Sequence, residues 1–238
     1  KVMLYLQEFG VTPAFAMKIY KKYGYRTIDV IKDNPYRMAE DVAGIGFKTA
    51  DRIAYSMGIP SDSPNRIKSG IKYILNESLL DGNVFMPREM LVRQSGEILS
   101  VDEDIVDNCL RELQIEHKIF NENIEGLDTV YLMPMYYTEI SAAKKLLELS
   151  FFYDDADLKK INEKIDTVED RSGVYLAEQQ REAVIEAMRE GVLVITGGPG
   201  TGKTTIIHTI IQIFQSEGME VVLAAPTGRA AKRMTETT

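Results

Sequence analysis

The chain has 238 residues, 45% of them hydrophobic, with 36 acidic side chains against 28 basic ones and a formal net charge of −8. That length suits one large domain or two to three small ones, and no run of 18 uncharged apolar residues is present to span a membrane. The single cysteine, Cys109, excludes an internal disulfide and fits a reducing, cytoplasmic setting. No signal-peptide pattern is present and the first residue is Lys1, so a piece of a longer protein is expected. The charge is uneven. Residues 1–70 hold 11 basic and 7 acidic side chains (net +4), 71–170 hold 10 and 22 (net −12), and 171–238 hold 7 and 7. A phosphate-backbone partner is therefore expected at the two ends, and the acidic middle is expected to be structural or to dock a protein partner on the 71–170 segment.

Residues 1–65 contain one pattern twice. Ala43–Gly58, AGIGFKTADRIAYSMG, is a small-residue hairpin followed by a helix with Phe47, Ala50, Ile53, Ala54 and Met57 on one face. Gly10, Ala16, Lys18, Ile19 and Gly24 stand 34 residues before Gly44, Ala50, Arg52, Ile53 and Gly58. In the first copy Thr12 takes the place of the second glycine and serves as N-cap to Pro13. Two glycines before a helix turn successive N–H groups outward at the positive helix end, which suits one phosphate and ignores the base. Gly44, Ile45, Gly46 and Lys48 are the expected DNA contacts. The segment resembles the tandem helix-hairpin-helix module of DNA-processing proteins.

Between 66 and 138 the order is helix (Arg66–Leu80), short strand (Val84–Met86), helix (Arg88–Ser95), helix and hairpin. Ser100 and Glu103 read as a capping box opening the third helix. Lys118–Phe120 and Thr129–Leu132 flank the hairpin turn at Gly126. This is the order of a winged helix. His117 and Cys109 have no companions at metal spacing. Residues 139–174 read as a helical linker. Tyr136, Tyr137 and Phe151–Tyr153 are aromatic runs that either pack or stack on bases.

The last segment, 175–238, carries the strongest motif. Val192–Thr196 is an apolar run expected as a buried parallel strand. Gly197-Gly198-Pro199-Gly200-Thr201-Gly202-Lys203-Thr204 then matches G-x-x-x-x-G-K-[ST], with Thr205 next in the helix. The glycines let amides converge on the phosphates of ATP. Lys203 brings charge to the β- and γ-phosphates, and the Thr204 hydroxyl suits Mg²⁺. Lys203 and Thr204 are thus the expected catalytic residues. Met219–Ala225 reads as a second buried strand that completes a βαβ unit.

Two flanking runs narrow the class. Leu176–Val184, LAEQQREAV, resembles the L-N-x-x-Q-x-x-A-V motif of superfamily 1 helicases, with Ala177 in place of Asn. The resemblance implies that Gln180 bonds the adenine edge, for which a carboxamide offers both a donor and an acceptor. Ala224–Met234, APTGRAAKRM after its first alanine, looks like helicase motif Ia, which implies that Thr227 and Arg229 contact single-stranded DNA. Lys232 and Arg233 extend that basic cluster.

Taken in order, NPYRMAEDVAGIGFKTADRIA, LAEQQREAV, GGPGTGKTT and APTGRAAKRM resemble the RecD/TraA-like helicases of superfamily 1B. The implied fold is α/β and multi-domain: helix-hairpin-helix repeats, a winged-helix-like domain and the start of a RecA-like P-loop motor domain. The implied activity is ATP-dependent, 5′ to 3′ unwinding of DNA, with single strands or junctions as partners. No acidic residue after Lys203 follows an apolar strand. Little unwinding or ATP hydrolysis is therefore expected of this polypeptide alone. A DNA-binding adaptor with a regulatory P-loop is the alternative, and a small-molecule kinase a more distant one.

Overall fold

The computed structural model describes residues 1–150 and 157–237, and it divides into two units, Lys1–Ile140 and Ser141–Thr238. The Phe151–Tyr153 run lies outside the described residues, as does the side chain of Arg233.

The first unit opens with helices α1 (Val2–Glu8), α2 (Pro13–Tyr23), α3 (Thr27–Asp33), α4 (Arg37–Asp41) and α5 (Phe47–Ser56). Thr12 caps α2 as expected: its Oγ1 accepts from Phe15 N at 3.4 Å, with Pro13 at the first helical position. Gly10 and Gly44 both have left-handed φ, +73° and +89°, and so do Gly24 and Gly58 further along. A side chain at any of these turns would be strained. Leu6, Ala16, Ile19, Ile31, Met38, Ile45 and Ile53 form one core.

The chain continues through α6 (Pro64–Leu80), β1 (Phe85–Pro87), α7 (Arg88–Leu99), α8 (Glu103–Ile115), β2 (Ile119–Ile124) and β3 (Leu127–Leu132). The three strands form an antiparallel sheet in the order β1-β3-β2. Glu125 and Gly126, at φ +51° and +89°, form the two-residue turn between β2 and β3. A second core joins Ile67, Ile71, Leu91, Leu110, Leu113 and Val130 to Tyr36, Phe47 and Ala50. Helix α5 thus serves both cores, and the hairpin before it is fixed from two sides. Asp51 reinforces the seam: its Oδ1 accepts from Tyr36 Oη at 2.8 Å and from Arg66 Nε at 2.9 Å. Arg66 also donates to the carbonyl of Leu99 at 2.9 Å.

The capping box at Ser100 is not formed. Ser100 is itself left-handed, φ +55° and ψ +52°, and ends α7; α8 starts after Asp102. The S-x-x-E spacing was satisfied in sequence, but the left-handed stop spends Ser100 on the preceding helix. His117 is exposed with φ +54°, and Cys109 is buried, its thiol pushed up by that burial. Among the described residues no cluster of three or more His, Cys, Asp or Glu could hold a metal ion. Tyr136 stacks on Phe120 with ring centroids 3.8 Å apart, whereas Tyr137 is exposed.

Helix α9 (Met133–Leu149) contains the division between the units, and α10 (Leu158–Ser172), α11 (Glu178–Ala187), α12 (Lys203–Ser216) and α13 (Gly228–Thr237) follow. Ile161, Ile165 and Val168 of α10 are buried with Val184, Ile206 and Ile213, so this part of the expected linker is a packed element. The expected strands are absent: neither Val192–Thr196 nor Met219–Ala225 is in a sheet, and Val194 and Val222 are 79% and 82% exposed. A parallel strand needs hydrogen-bonded neighbours, and neither run has them among the described residues, so no βαβ ladder closes. No helix of the described residues is long and apolar enough to cross a membrane.

Candidate functional site: a phosphate loop and a helical hairpin

The glycine-rich loop Gly197–Gly202 is supported by α10 and α11. Arg181 on α11 donates to Glu169 Oε2 at 3.0 Å and to Asn162 Oδ1 at 3.1 Å, and pairs with Asp166. Glu169, buried, accepts from Leu176 N at 2.8 Å through its other oxygen. A buried carboxylate held by a guanidinium and a backbone amide is satisfied, and it fixes how α11 starts.

That start places Gln180. Its Oε1 accepts from Ala177 N at 3.0 Å and its Nε2 donates to the carbonyl of Thr201 at 3.0 Å. The side chain spans from the mouth of α11 to the middle of the glycine loop. One N–H and one lone pair of the carboxamide are left over.

The loop is shaped for an anion. Gly200 and Gly202 are left-handed at φ +78° and +83°, and no side chain caps α12. The amides from Gly200 to Thr205 have no acceptor among the described residues, so the loop and first helical turn offer a run of donors. Lys203 Nζ donates to the carbonyls of Gly197 and Gly198, both at 2.6 Å, and Thr201 Oγ1 donates to Gly198 O at 2.9 Å. Lys203 therefore curls over the loop, where a phosphate oxygen can replace those carbonyls. The Thr204 side chain is exposed at the helix start. This donor set could hold the phosphates of a nucleoside triphosphate along Gly197–Thr205, and the Thr204 hydroxyl would suit a Mg²⁺ ligand. Bound Mg²⁺ would neutralise phosphate charge; the chain's own contribution is to bind and orient. Beyond the loop, Thr227 caps α13, its Oγ1 accepting from Ala230 N at 3.3 Å, and Arg229 is exposed in the first turn.

In the first unit the hairpin departs from the expected contacts in one respect. Ile45 is a core residue and its N–H donates to Val42 O at 3.1 Å, so Ile45 offers nothing outward. The amides of Gly46, Phe47 and Lys48, by contrast, have no acceptor among the described residues. The sequence does not mark the Phe47 amide, because the Phe47 side chain reads as core. Nothing lies within 4 Å of a Cβ built on Gly46, so the hairpin's outer face is open. Lys18 Nζ from α2 donates to Ala43 O at 3.2 Å and braces the turn. Lys48 Nζ sits 5.6 Å over the Tyr73 ring, and its pKa is raised by a hydrogen bond with that tyrosine.

Both ends match known families. Residues 1–85 match the helix-hairpin-helix (HHH) domain of the ATP-dependent RecD2 DNA helicase, and 180–238 match an AAA domain. The chain is RecD-like over its N-terminal and early motor regions. It is 28% identical over 243 residues to an ATP-dependent RecD2 DNA helicase of Deinococcus radiodurans, covering 98% of this chain and 33% of that protein. It is 41% identical over 66 residues to the RecBCD enzyme subunit RecD of Mycolicibacterium smegmatis, covering 25% of this chain and 12% of that one. Against the RecD subunit of Buchnera aphidicola the identity is 27% over 170 residues, 66% of this chain and 28% of the subunit. The chain thus spans about a third of the length of its RecD2 relative.

Proposed function

We propose that this chain is the DNA-engaging and ATP-gripping part of a helicase that moves 5′ to 3′ on single-stranded DNA or at junctions. One observation carries the reading. The same polypeptide presents two separate sets of outward amides, Gly46–Lys48 and Gly200–Thr205, each at the start of an amphipathic helix. A motor needs one grip for the track and one for the fuel.

On this reading Gln180 meets adenine, Lys203 and the loop glycines hold the phosphates, and Thr204 meets Mg²⁺. Thr227 and Arg229 touch the strand. Residues 1–65 act as two helix-hairpin-helix copies, 66–138 as a winged-helix-like domain, 139–174 as a helical connection and 175–238 as the start of the motor. The acidic 71–170 segment serves a protein partner. The test is a pair of titrations on the 238-residue chain, with fluorescent ATP and with labelled single-stranded DNA. Gln180→Ala should weaken ATP, and DNA affinity should fall steeply with salt. Unchanged ATP binding in Gln180→Ala, or salt-independent DNA binding, rejects the reading.

A further inference from the structure

A groove of about 510 Å³ opens beside the hairpin in the first unit. Gly46 and Phe47 line it from the hairpin, Lys72, Tyr73 and Asn76 from α6, and Lys118 from the residue before β2. The volume falls within the roughly 300–1,000 Å³ of ligand clefts. Three features set its chemistry. Gly46 and Phe47 are two of the hairpin residues whose amides are free. Lys118 is exposed and has no carboxylate partner among the described residues, while Lys72 is paired with Glu40, which also lines the groove. Tyr73, Leu132 and Pro134 supply an apolar wall.

The location of the lysines matters. Residues 71–140 contain five basic side chains in a strongly acidic stretch, and two of them, Lys72 and Lys118, line this groove. The basic N-terminal part and the acidic part therefore meet at a shared cationic cleft. Lys48 stands over Tyr73 close by. Amide donors, an unpaired cation and an apolar wall with an aromatic ring are what one nucleotide of a single strand requires: phosphate neutralisation and a surface for the base.

We propose that this groove takes the nucleotide next to the phosphate held at the hairpin, its phosphate beside Lys118 and its base against Tyr73, Leu132 and Pro134. The proposal rests on the hairpin reading above, and it extends DNA contact into the acidic segment. Lys118 is exposed, so its replacement leaves the fold intact. The probe is a fluorescein-labelled oligothymidylate titrated by anisotropy at several salt concentrations, together with a 5-iodouracil oligonucleotide for photo-crosslinking. Lys118→Ala should weaken binding about three- to tenfold and lower the log–log salt slope by about one, and Lys118→Arg should retain both. The crosslink should map to Tyr73. Gly46→Val should weaken binding as well, by blocking the hairpin face. If Gly46→Val weakens binding but Lys118→Ala does not, or the crosslink maps away from Tyr73, the groove assignment is overturned and the hairpin stands. If Gly46→Val binds as the unmodified chain does, the hairpin reading falls and the groove with it.

Discussion

Gln180 occupies the space that a side chain on Gly202 would need: its Nε2 donates to the neighbouring Thr201 carbonyl at 3.0 Å and collides with a Cβ built at 202. Gly202 is also left-handed, φ +83°. Gly202→Ala therefore meets two obstacles, a dihedral cost of about 1–2 kcal/mol and a displaced carboxamide. Fluorescent-ATP affinity should fall more than tenfold. The double variant Gly202→Ala/Gln180→Ala removes the collision and keeps the dihedral cost, so it should not regain full affinity. Near-normal ATP binding by Gly202→Ala would show that the loop does not need this geometry.

Gln180 holds the loop from behind, so its loss should be felt by any ligand of the loop. Each hydrogen bond of this kind contributes about 1 kcal/mol, roughly fivefold in affinity. Gln180→Ala should weaken inorganic tripolyphosphate about fivefold. It should weaken ATP further, because the spare N–H and lone pair suit an adenine edge. Calorimetric titration of both ligands separates the two roles, and an effect on ATP alone would remove the brace.

Among the described residues the Lys203 ammonium hydrogen-bonds only to loop carbonyls and the Thr201 hydroxyl. Nothing in the core depends on it. Lys203→Ala should leave the thermal midpoint unchanged and weaken nucleotide binding at least tenfold, read by differential scanning and by titration on one sample. A lowered midpoint with unchanged binding would assign Lys203 to the fold and not to the ligand.

What could be read from the sequence was local. Thr12 as a cap and the glycines at 10, 44, 200 and 202 as turns each depend on neighbours within one turn of chain. Failures came where a local pattern had two solutions or where the partner was distant. Ser100 and Glu103 had capping-box spacing, yet Ser100 took the left-handed stop that ends the helix before it. Val192–Thr196 and Met219–Ala225 are apolar enough for buried strands, but hydrophobicity does not specify what covers them. Val194 and Val222 remain exposed here. The Tyr36–Asp51–Arg66 seam joins residues 15 positions apart at each step, which no periodicity announces. Nor could spacing show that Lys118 and Gly46 line one groove.

Close packing within the first unit makes a separate claim on stability. Gly70 on α6 faces Leu99, and a Cβ at 70 would lie 2.6 and 2.7 Å from the Leu99 methyls and 3.1 Å from its Cγ. Leu99 is buried at 1% exposure and has little room to turn away. Gly70→Val should cost about 1–3 kcal/mol by overpacking, offset in part by the better helix propensity of the larger residue. Urea denaturation measures it as a lower midpoint at unchanged slope. Leu99→Ala beside Gly70→Val should return part of that loss, since the colliding atoms are gone. An unchanged midpoint in Gly70→Val would mean that α6 and α7 are loosely packed at this contact.

Alkaline pH tests the seam itself. The Tyr36 phenol is held protonated well above its ordinary 10.0 by burial first and by its hydrogen bond to Asp51 second, with Arg66 opposing. Tyr23 is raised likewise, by burial and by Asp41, to which it donates at 2.8 Å. A phenol with a raised folded pKa contributes stability that is complete below the unfolded value and fades as pH climbs past it. The unmodified chain should therefore hold its stability up to about pH 9 and lose it progressively from about pH 10 upward. Tyr36→Phe starts lower, because Asp51 loses a donor, but it has no phenol to ionise and its alkaline limb should be shallower. Urea midpoints for both proteins between pH 8 and pH 11 (roughly half-unit steps) give the comparison. Parallel alkaline limbs would mean that Tyr36 ionises as freely in the folded chain as in the unfolded one, and that the seam does not protect its proton.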